Sequence, residues 1–255
     1  MQLTLVGWLS LVASLAAIAV TAVGVAVLSK DVVTHDGPAN MDGSNLRYFL
    51  RLRSVGVTEG ARIITESGSV AVLLVVATLV GALLWWKGYR MATALAPMVA
   101  LVGAGMVVAV VKPLVHRARP PAALHLVTES AQSFPSGHAT DSAALFTTVG
   151  LLAAALIFRH PVARLAAVGL AGLMTGLVGI SRLILGVHWP TDVVTGWGLG
   201  LLVSLVVTTA VLVLPSPPTD GGGAERRRCT AQVGRRLLRL LNVRRPSARG
   251  APGLS

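Results

Sequence analysis

The sequence predicts an all-α, polytopic membrane protein with six transmembrane helices. Hydrophobic residues make up 54% of the 255-residue chain and charged residues only 13%, whereas charged residues reach about 25% in typical soluble domains. Apolar runs of about 18 or more residues recur along the chain, which is the length that a helix needs to cross a bilayer. Because lipid offers no partner for backbone N–H and C=O groups, we expect these runs to be helical.

Six apolar segments define the predicted spans in chain order. They run approximately over Leu3–Leu28, Ser69–Trp86, Ala92–Val111, Ala139–Phe158, Val162–Ile180 and Val193–Leu214. No positively charged segment precedes the first run, which is also longer than the core of a signal peptide. We therefore expect it to be retained as a span, with a cleaved signal peptide as the alternative. The six spans together predict a membrane domain over residues 1–214.

A basic segment follows the last predicted span. Residues 215–255 contain nine Arg residues and two acidic residues, so they carry seven of the twelve net positive charges of the chain. Pro-rich and Gly-rich stretches at its start predict a flexible linker. Because the charge lies beside a membrane span, attraction to anionic lipid or control of topology explains it better than nucleic-acid binding. We expect residues 215–255 to form a basic, flexible tail.

Basic residues in the short loops predict the orientation of the bundle. Lys87 and Arg90 lie between spans two and three, Arg159 lies between spans four and five, and Arg164 lies at the start of span five, with no acidic residue among them. Cytoplasmic loops are enriched in Lys and Arg. We therefore expect these loops and the tail to be cytoplasmic, in a multi-pass protein of the cell membrane.

The connection between spans one and two is long and balanced in charge. Residues 30–68 contain five basic and five acidic residues, so they provide no signal for the cytoplasmic side. Two stretches, Asn45–Arg53 and Val57–Ile64, have the pattern of short amphipathic helices. They either lie in the membrane interface and frame an entrance for lipid, or form a structured surface connection without a function.

Three polar clusters lie at the ends of the apolar segments. They comprise Lys112 with Arg119-Pro120, then Pro135-Ser136-Gly137-His138, and then Ser181-Arg182 followed by His188 and Asp192. Ionisable groups at membrane depth are costly and are usually functional. In an up-down bundle, the ends of spans three and five share one face with the starts of spans four and six. We therefore expect the clusters to form one site at the extracytoplasmic helix ends.

The cations and the middle cluster predict a phosphate site. Ser136 is a favourable N-cap residue for span four, and Gly137 leaves the backbone uncovered, so free N–H groups at a positive helix end can bind an anion. Lys112, Arg119 and Arg182 add positive charge, and the planar fork of Arg matches phosphate oxygens. Each cluster alone fits a routine helix start with interfacial cations, but three clusters on one face favour a phosphate site.

The histidines supply groups for catalysis. His188 and Asp192 are four residues apart at the predicted start of span six, where Pro190 suits the first helical turn. The carboxylate can accept a hydrogen bond from one imidazole nitrogen and leave the other as a nucleophile. His138, at the start of span four, can donate a proton to a leaving oxygen. Capping by Asp192 and a structural role for either histidine are the alternatives.

A metal site is a further alternative for the histidines. His116 and His125 could join it, but Asp192 and Glu129 are the only carboxylates that this face adds, and metal sites generally use more carboxylate or thiolate ligands. Cys229 is the only cysteine and lies in the tail. We therefore expect neither a metal ion nor another cofactor.

The order and spacing of the clusters resemble a known family. Lys112-x6-Arg119-Pro120, Pro135-Ser136-Gly137-His138 and Ser181-Arg182-x5-His188-x3-Asp192 match the three-part signature of the type 2 phosphatidic acid phosphatases. The match points to membrane lipid phosphatases of the phosphatidylglycerophosphatase B and undecaprenyl-diphosphatase kind. The resemblance covers residues 1–214 in architecture, because membrane members of that family also have six spans. It implies a metal-independent phosphatase that acts through a phosphohistidine.

The resemblance also implies residue roles and a substrate class. His188 would attack phosphorus, Asp192 would orient it, and His138 would protonate the leaving group. The residues implied to bind phosphate are Lys112, Arg119, Ser136, Gly137 and Arg182. The implied substrate is a phosphorylated lipid in the bilayer, of the polyprenyl diphosphate, phosphatidylglycerol phosphate or phosphatidic acid type.

Other functions remain open at this point. One is a non-catalytic protein that binds or transports a phosphate lipid, although binding alone would not need two positioned imidazoles. Another is a phosphotransferase that uses the same site. The signature also occurs in vanadate-dependent haloperoxidases, which are soluble and therefore fit six spans poorly. The sequence predicts neither the lipid tail nor the oligomeric state.

Overall fold

The computed structural model describes residues 5–129 and 132–213, and within these ranges the chain forms eight α-helices and no β-strand. The helices are α1 (Leu5–Thr34), α2 (Asp42–Arg51), α3 (Val55–Glu66), α4 (Val70–Trp86), α5 (Met91–Val115), α6 (Gly137–Leu152), α7 (Pro161–Ile184) and α8 (Pro190–Val213). A π-helical turn, Ala153–Ile157, extends α6. The all-α prediction is confirmed, and the predicted tail lies outside the described residues.

The number of spans depends on how one bent pair of helices is counted. Among the described residues, five helices are long and apolar enough to cross a membrane: α1, α5, α6 with its π-helical turn, α7 and α8. α4 has only 17 residues, and it meets the same test only together with α3, from which it is bent by 52°. Six spans are therefore reached when α3 and α4 form one broken span, and the amphipathic stretch Val57–Ile64 belongs to that pair.

Several helices extend beyond the predicted apolar segments at their polar ends. α1 continues past Leu28 to Thr34 and so includes Lys30 and Asp31. α7 continues past Ile180 to Ile184, which places Arg182 inside its last turn. Hydropathy alone ends a span at the first charge, but a helix can continue there because long side chains reach polar surroundings from its end.

α6 is the central helix of the bundle. It packs against α4, α5, α7 and α8, and its approach to α8 is close because Gly196 and Gly200 of α8 face it. A Cβ atom on Gly200 would lie 2.3 Å from the carbonyl oxygen of Thr140 in α6. Small residues let helix backbones approach closely in a membrane bundle. The starts of α6 and α8 are therefore held in a fixed relation.

The connection between α1 and α4 is docked on the end of the bundle where the polar clusters lie. Leu46 of α2 is buried in a cluster with Ala139 of α6 and Val193 of α8, and α3 packs along α7. Between α2 and α3, the guanidinium of Arg53 donates to the carbonyl oxygen of Ile184 at 2.7 Å. The long connection is thus part of the structure around the candidate site.

Candidate active site

The three polar clusters meet at one end of the bundle. Lys112 lies near the end of α5 and Arg182 in the last turn of α7. Ser136 immediately precedes α6, and Asp192 lies in the first turn of α8. The connection between α5 and α6 crosses this end and brings Arg119 to the same place, where its guanidinium contacts the turn between α7 and α8.

His188 and Asp192 form a buried pair at the turn between α7 and α8. Gly186 adopts a φ of +73°, and a Cβ there would lie 2.3 Å from the carbonyl oxygen of Leu124, so only glycine fits this turn. α8 begins at Pro190, as predicted, with His188 just before it. The Nδ1 of His188 lies 3.5 Å from the Oδ2 of Asp192, which is longer than the about 2.7–3.2 Å usual for an N–H···O hydrogen bond, and Nδ1 has no hydrogen-bond partner among the described residues.

The second ring nitrogen of His188 faces Arg119. The Nη1 of Arg119 lies 3.1 Å from the Nε2 of His188, and a guanidinium can only donate. We therefore assign Nε2 as the acceptor and place the imidazole proton on Nδ1, on the side of Asp192. Burial lowers the pKa of His188 to about 4, although Asp192 acts to raise it. At neutral pH, His188 is a neutral imidazole with the lone pair of Nε2 directed at an arginine.

The carboxylate of Asp192 is fully buried and held by three groups besides His188. The Nη1 of Arg117 donates to Oδ1 at 2.5 Å, and the backbone N–H of Trp189 donates to Oδ2 at 2.9 Å. The hydroxyl of Ser133 donates to the same Oδ2. A buried carboxylate with this many partners has a single orientation, and that orientation faces the imidazole.

Three cations and one carboxylate form the next layer of the site. The Nη2 of Arg119 donates to the Oε2 of Glu129 at 3.2 Å, and the Nη2 of Arg182 donates to the Oε1 of the same group. The Nζ of Lys112 donates to the carbonyl oxygen of Gln132 at 3.0 Å. Burial alone would raise the pKa of the Glu129 carboxyl, but the charges of Arg182 and Arg119 outweigh burial and lower it. Glu129 is thus an ionised bridge between the two arginines.

Arg182 is one of the most deeply buried side chains of the molecule. It is only 2% exposed, and its Nη1 donates to the hydroxyl of Thr65 in α3 at 2.8 Å. Its Nε has no hydrogen-bond partner among the described residues. A buried guanidinium is costly unless its donors are satisfied, so this N–H is available to an oxygen that enters the site.

The start of α6 differs in one respect from the prediction. Ser136 occupies the N-cap position, but its hydroxyl makes no capping hydrogen bond and is buried without a partner among the described residues. A Cβ on Gly137 would lie 3.8 Å from a methyl group of Val108, which is an ordinary contact, so steric need does not explain this glycine. The hydroxyl of Ser136, like the Nε of Arg182, is a buried group that a bound oxyanion could satisfy.

His138 lies in the first turn of α6 and is brought close to the other predicted residues. The charges of Arg182, Glu129, His188 and Lys112 all act on its imidazole. The structure therefore brings together residues from each of the three clusters, including both histidines.

A polar cavity of about 570 Å³ opens at this end of the bundle. Its lining comes from the α5–α6 connection and includes Arg117, Arg119, His125 and Glu129. The Nε2 of His125 lies 2.8 Å from the carbonyl oxygen of Pro120, so this histidine belongs to the loop structure. Arg119 contacts both the cavity and the Nε2 of His188, and it therefore connects solvent to the buried imidazole.

Several polar groups of the site were missed or left without a role in the sequence analysis. They are Asp42, Thr65, Arg117, Glu129, Gln132 and Ser133, of which Glu129 was considered only as a metal ligand. Arg117 and Glu129 lie between the first two clusters, so their position in the chain was a usable signal. Asp42 and Thr65 come from the long connection, where no sequence pattern marks them.

Residues 92–214 match the sequence model of the family described as the PAP2 superfamily, and this segment contains all eight predicted site residues. Phosphatidylglycerophosphatase B of Bacillus subtilis (strain 168) is 41% identical over 99 residues, which are 38% of this chain and 48% of that protein. Decaprenylphosphoryl-5-phosphoribose phosphatase of Mycobacterium tuberculosis (strain H37Rv) is 34% identical over 134 residues, which are 49% of this chain and 63% of that protein. The chain thus spans about half of the length of the first relative and less than two thirds of the length of the second.

Two solved structures have a similar fold. The crystal structure of the first transmembrane PAP2 type phosphatidylglycerolphosphate phosphatase from Bacillus subtilis superposes with a TM-score of 0.68 and 26% identity, covering 74% of this chain and 93% of that one. The crystal structure of Aquifex aeolicus LpxE superposes with a TM-score of 0.54 and 20% identity, covering 66% and 94%, and it supports the fold alone. Together with the apolar helices, these similarities identify a multi-pass membrane protein.

Proposed function

We propose, from the PAP2 superfamily domain that the chain contains at residues 92–214, that this protein is an integral-membrane lipid phosphatase. The observation that carries the proposal is the position of the buried His188 imidazole, whose Nε2 faces the guanidinium of Arg119 at 3.1 Å. A nucleophile directed at a cluster of cations is the arrangement that phosphoryl transfer requires. The substrate would be a lipid with a phosphate monoester or diphosphate headgroup.

The lipid class is supported by the relatives and by the location of the site. The names of those relatives specify phosphatidylglycerophosphate and decaprenylphosphoryl-5-phosphoribose as substrates of those proteins. In this chain the site lies at the ends of apolar helices, so a lipid tail can stay in the bilayer while its headgroup reaches the cations. We infer a polyprenyl diphosphate, phosphatidylglycerol phosphate or phosphatidic acid type of substrate.

Phosphate binding would use the groups around Glu129. Arg119 and Arg182 now donate to its carboxylate, so these contacts must be exchanged for phosphate oxygens when a headgroup binds. Lys112, the buried hydroxyl of Ser136 and the start of α6 at Gly137 supply further donors or positive potential. Fixed donors of this kind stabilise the charge on the transferring phosphoryl group without reorganisation.

The proposed reaction has two steps and a phosphohistidine between them. In the first, the Nε2 of His188 forms a bond to phosphorus while the bond from phosphorus to the lipid oxygen breaks, and protonated His138 donates its proton to that oxygen. As positive charge develops on the ring, Nδ1–H donates a hydrogen bond to Asp192, and the carboxylate stabilises that charge. In the second, water attacks phosphorus, His138 accepts its proton, and the P–N bond breaks to release inorganic phosphate.

The proposal is tested by His188→Ala in the purified protein, with a panel of isoprenoid and glycerolipid phosphates as substrates. Phosphate release by the wild type and its loss to background in the variant are expected, because the nucleophile is removed. His160→Ala is the matched control, since His160 is exposed and precedes α7 at the opposite end of the bundle. Radiolabelled phosphate should be trapped on the wild type and absent from His188→Ala.

Two outcomes would favour the other functions. A wild-type protein that binds lipid phosphates but hydrolyses none of the panel would indicate a binding or transport protein. Transfer of phosphate to an added alcohol in preference to water would indicate a phosphotransferase. Full activity of His188→Ala would contradict the proposed mechanism directly.

We also propose that the site faces the extracytoplasmic side and that the tail is cytoplasmic, in keeping with the basic residues of the short loops. Cys229 is the only cysteine, so it reports the side of the tail without mutation. In intact cells a membrane-impermeant thiol reagent should leave Cys229 unlabelled, and it should label Ala122→Cys at the polar cavity in a Cys229→Ser background. The opposite labelling pattern would overturn the orientation.

A further inference from the structure

We propose that Arg117 and Asp42 form a positioning pair that holds Asp192 and sets how strongly it supports His188. The inference rests on the proposed function, because it concerns the nucleophile of that reaction. Neither residue belongs to the three clusters, and Asp42 lies at the start of α2, far from them in the sequence.

The contacts of Arg117 are the first observation. Its Nη1 donates to the Oδ1 of Asp192 at 2.5 Å, and its Nη2 donates to the Oδ2 of Asp42 at 2.5 Å. The guanidinium also lies 5.8 Å from the ring centre of Trp189, a distance at which cation and ring attract. Side-chain exposure is 16% for Arg117, 4% for Asp42 and 0% for Asp192. The arginine is thus a largely buried bridge between two carboxylates.

The second observation is that Asp42 caps the helix that carries Asp192. The Oδ1 of Asp42 accepts the backbone N–H of Thr191 at 3.0 Å, and its Oδ2 accepts the hydroxyl of the same residue. N–H groups in the first turn of a helix have no partner within the helix, and a carboxylate there is also favoured by the helix dipole. Asp42 therefore fixes the start of α8, one residue before Asp192, from a distant part of the chain.

The charges at this position explain why a pair is needed. Arg117 alone would neutralise Asp192 and weaken its support for a positive charge on His188. Asp42 balances Arg117, so Asp192 keeps its net negative effect on the imidazole. The other charged or titratable groups that act on His188 are Arg119 at Nε2, Arg182, Glu129 and His138.

The two members of the pair differ in their access to substrate. Arg117 lines the polar cavity, so its loss could also affect headgroup binding. Asp42 is 3% exposed and does not line that cavity among the described residues. A change in kcat with little change in KM is therefore expected from Asp42, and this separates positioning from direct contact with the headgroup.

The experiment measures kcat/KM against pH in Asp42→Asn, Arg117→Gln and the double variant. It compares the acid limb of each profile, which is the pH range over which kcat/KM falls as His188 becomes protonated. Asp42→Asn leaves the arginine unbalanced, which disfavours protonation of His188 and should move the limb to lower pH by roughly 0.5 to 1 unit. Arg117→Gln removes the positive charge and should move the limb to higher pH by a similar amount. The double variant should return towards the wild-type limb, and kcat of Asp42→Asn should fall roughly tenfold.

Other residues of the same chain supply the control variants for this experiment. Asp36→Asn, an exposed acid of the same connection, and Arg47→Gln, an exposed arginine of α2, should leave the limb unchanged. Arg117→Lys keeps the charge and should also leave it unchanged, even though kcat falls because an amine cannot bridge both carboxylates. The inference would be overturned if folded Asp42→Asn and Arg117→Gln had the same acid limb. It would also be overturned if the acid limb of Arg117→Lys moved as far as that of Arg117→Gln.

Failure of this inference can be told apart from failure of the proposed function. If the function fails, the wild type releases no phosphate and no limb exists to be measured. If only the inference fails, His188→Ala is inactive as proposed while the variants of the pair share one limb. Should Asp42→Asn not fold, the contrast between Arg117→Gln and Arg117→Lys still decides the matter.

Discussion

Gly200→Ala is expected to reduce phosphatase activity although Gly200 lies outside the candidate site, about two helical turns from Asp192. Gly200 faces α6 at the closest approach between α6 and α8. An added Cβ would lie 2.3 Å from the carbonyl oxygen of Thr140, 2.6 Å from the Cβ of Ala143 and 2.8 Å from the backbone nitrogen of Ala144. Two of these three atoms belong to the backbone and cannot rotate away, so the helices themselves must separate.

The size of the effect follows from these distances. Ordinary contact begins at 3.4 Å, so relieving the nearest overlap requires a shift of about 1 Å, and a misplacement of that size costs about 100-fold in rate. The shift reaches the site because Thr140 is one helical turn from Ser136, and Gly200 is two turns from Asp192. We therefore expect kcat to fall by about 100-fold, with a smaller change in KM.

The assay is phosphate release from a lipid monophosphate in detergent, measured together with thermal unfolding of each variant. Gly172→Ala in α7 is the matched control, because no atom lies within 4 Å of an added Cβ there. It should retain wild-type activity and stability. If folded Gly200→Ala stays within about threefold of the wild type, the packing of α6 on α8 does not hold the catalytic groups in place and the reasoning is refuted.

Three further predictions concern the chemistry of the site. Arg182→Lys keeps the charge but loses the planar fork that binds two acceptors, so kcat/KM should fall about 100-fold; retention of activity would show that charge alone suffices. Burial lowers the pKa of His188 to about 4. We therefore expect kcat/KM to fall as pH drops through this value, because the protonated ring has no lone pair. A fall in kcat/KM centred near pH ~6.5, after correction for ionisation of the headgroup, would contradict this. EDTA should leave phosphate release unchanged, because His188, His138 and the arginines carry the proposed steps; a loss that a divalent cation restores would refute the metal-independent mechanism.

The helices and the location of the site could be predicted because their signals are local. Apolar runs predicted α4 to α8 within a few residues, and Pro190 predicted the start of α8. The three clusters were assigned to one end of the bundle by counting spans. The clusters do lie at one end because α5 to α8 alternate in direction. This holds whether or not α3 and α4 form one span.

The partners of the site residues could not be predicted, because long-range contacts bring them there. Thr65 reaches Arg182 across 117 residues, and Asp42 reaches Thr191 across 149 residues. Neither pair has a spacing or a pattern that the sequence alone would reveal. The hydroxyl of Ser136 shows a related limit, since residue type predicted a capping hydrogen bond that the folded chain does not make.

By itself, the sequence determined that this is a helical membrane protein, and it predicted which side chains form the candidate site. Those properties follow from apolar length, helix-start residues and the spacing of His188 and Asp192, all of which act within a few turns of chain. Only the tertiary structure decided which tautomer His188 adopts, that Glu129 bridges the two arginines, and that Asp42 and Arg117 hold Asp192. These depend on which donors and carboxylates are buried against each other, and burial is a property of the packed helices, not of any one segment.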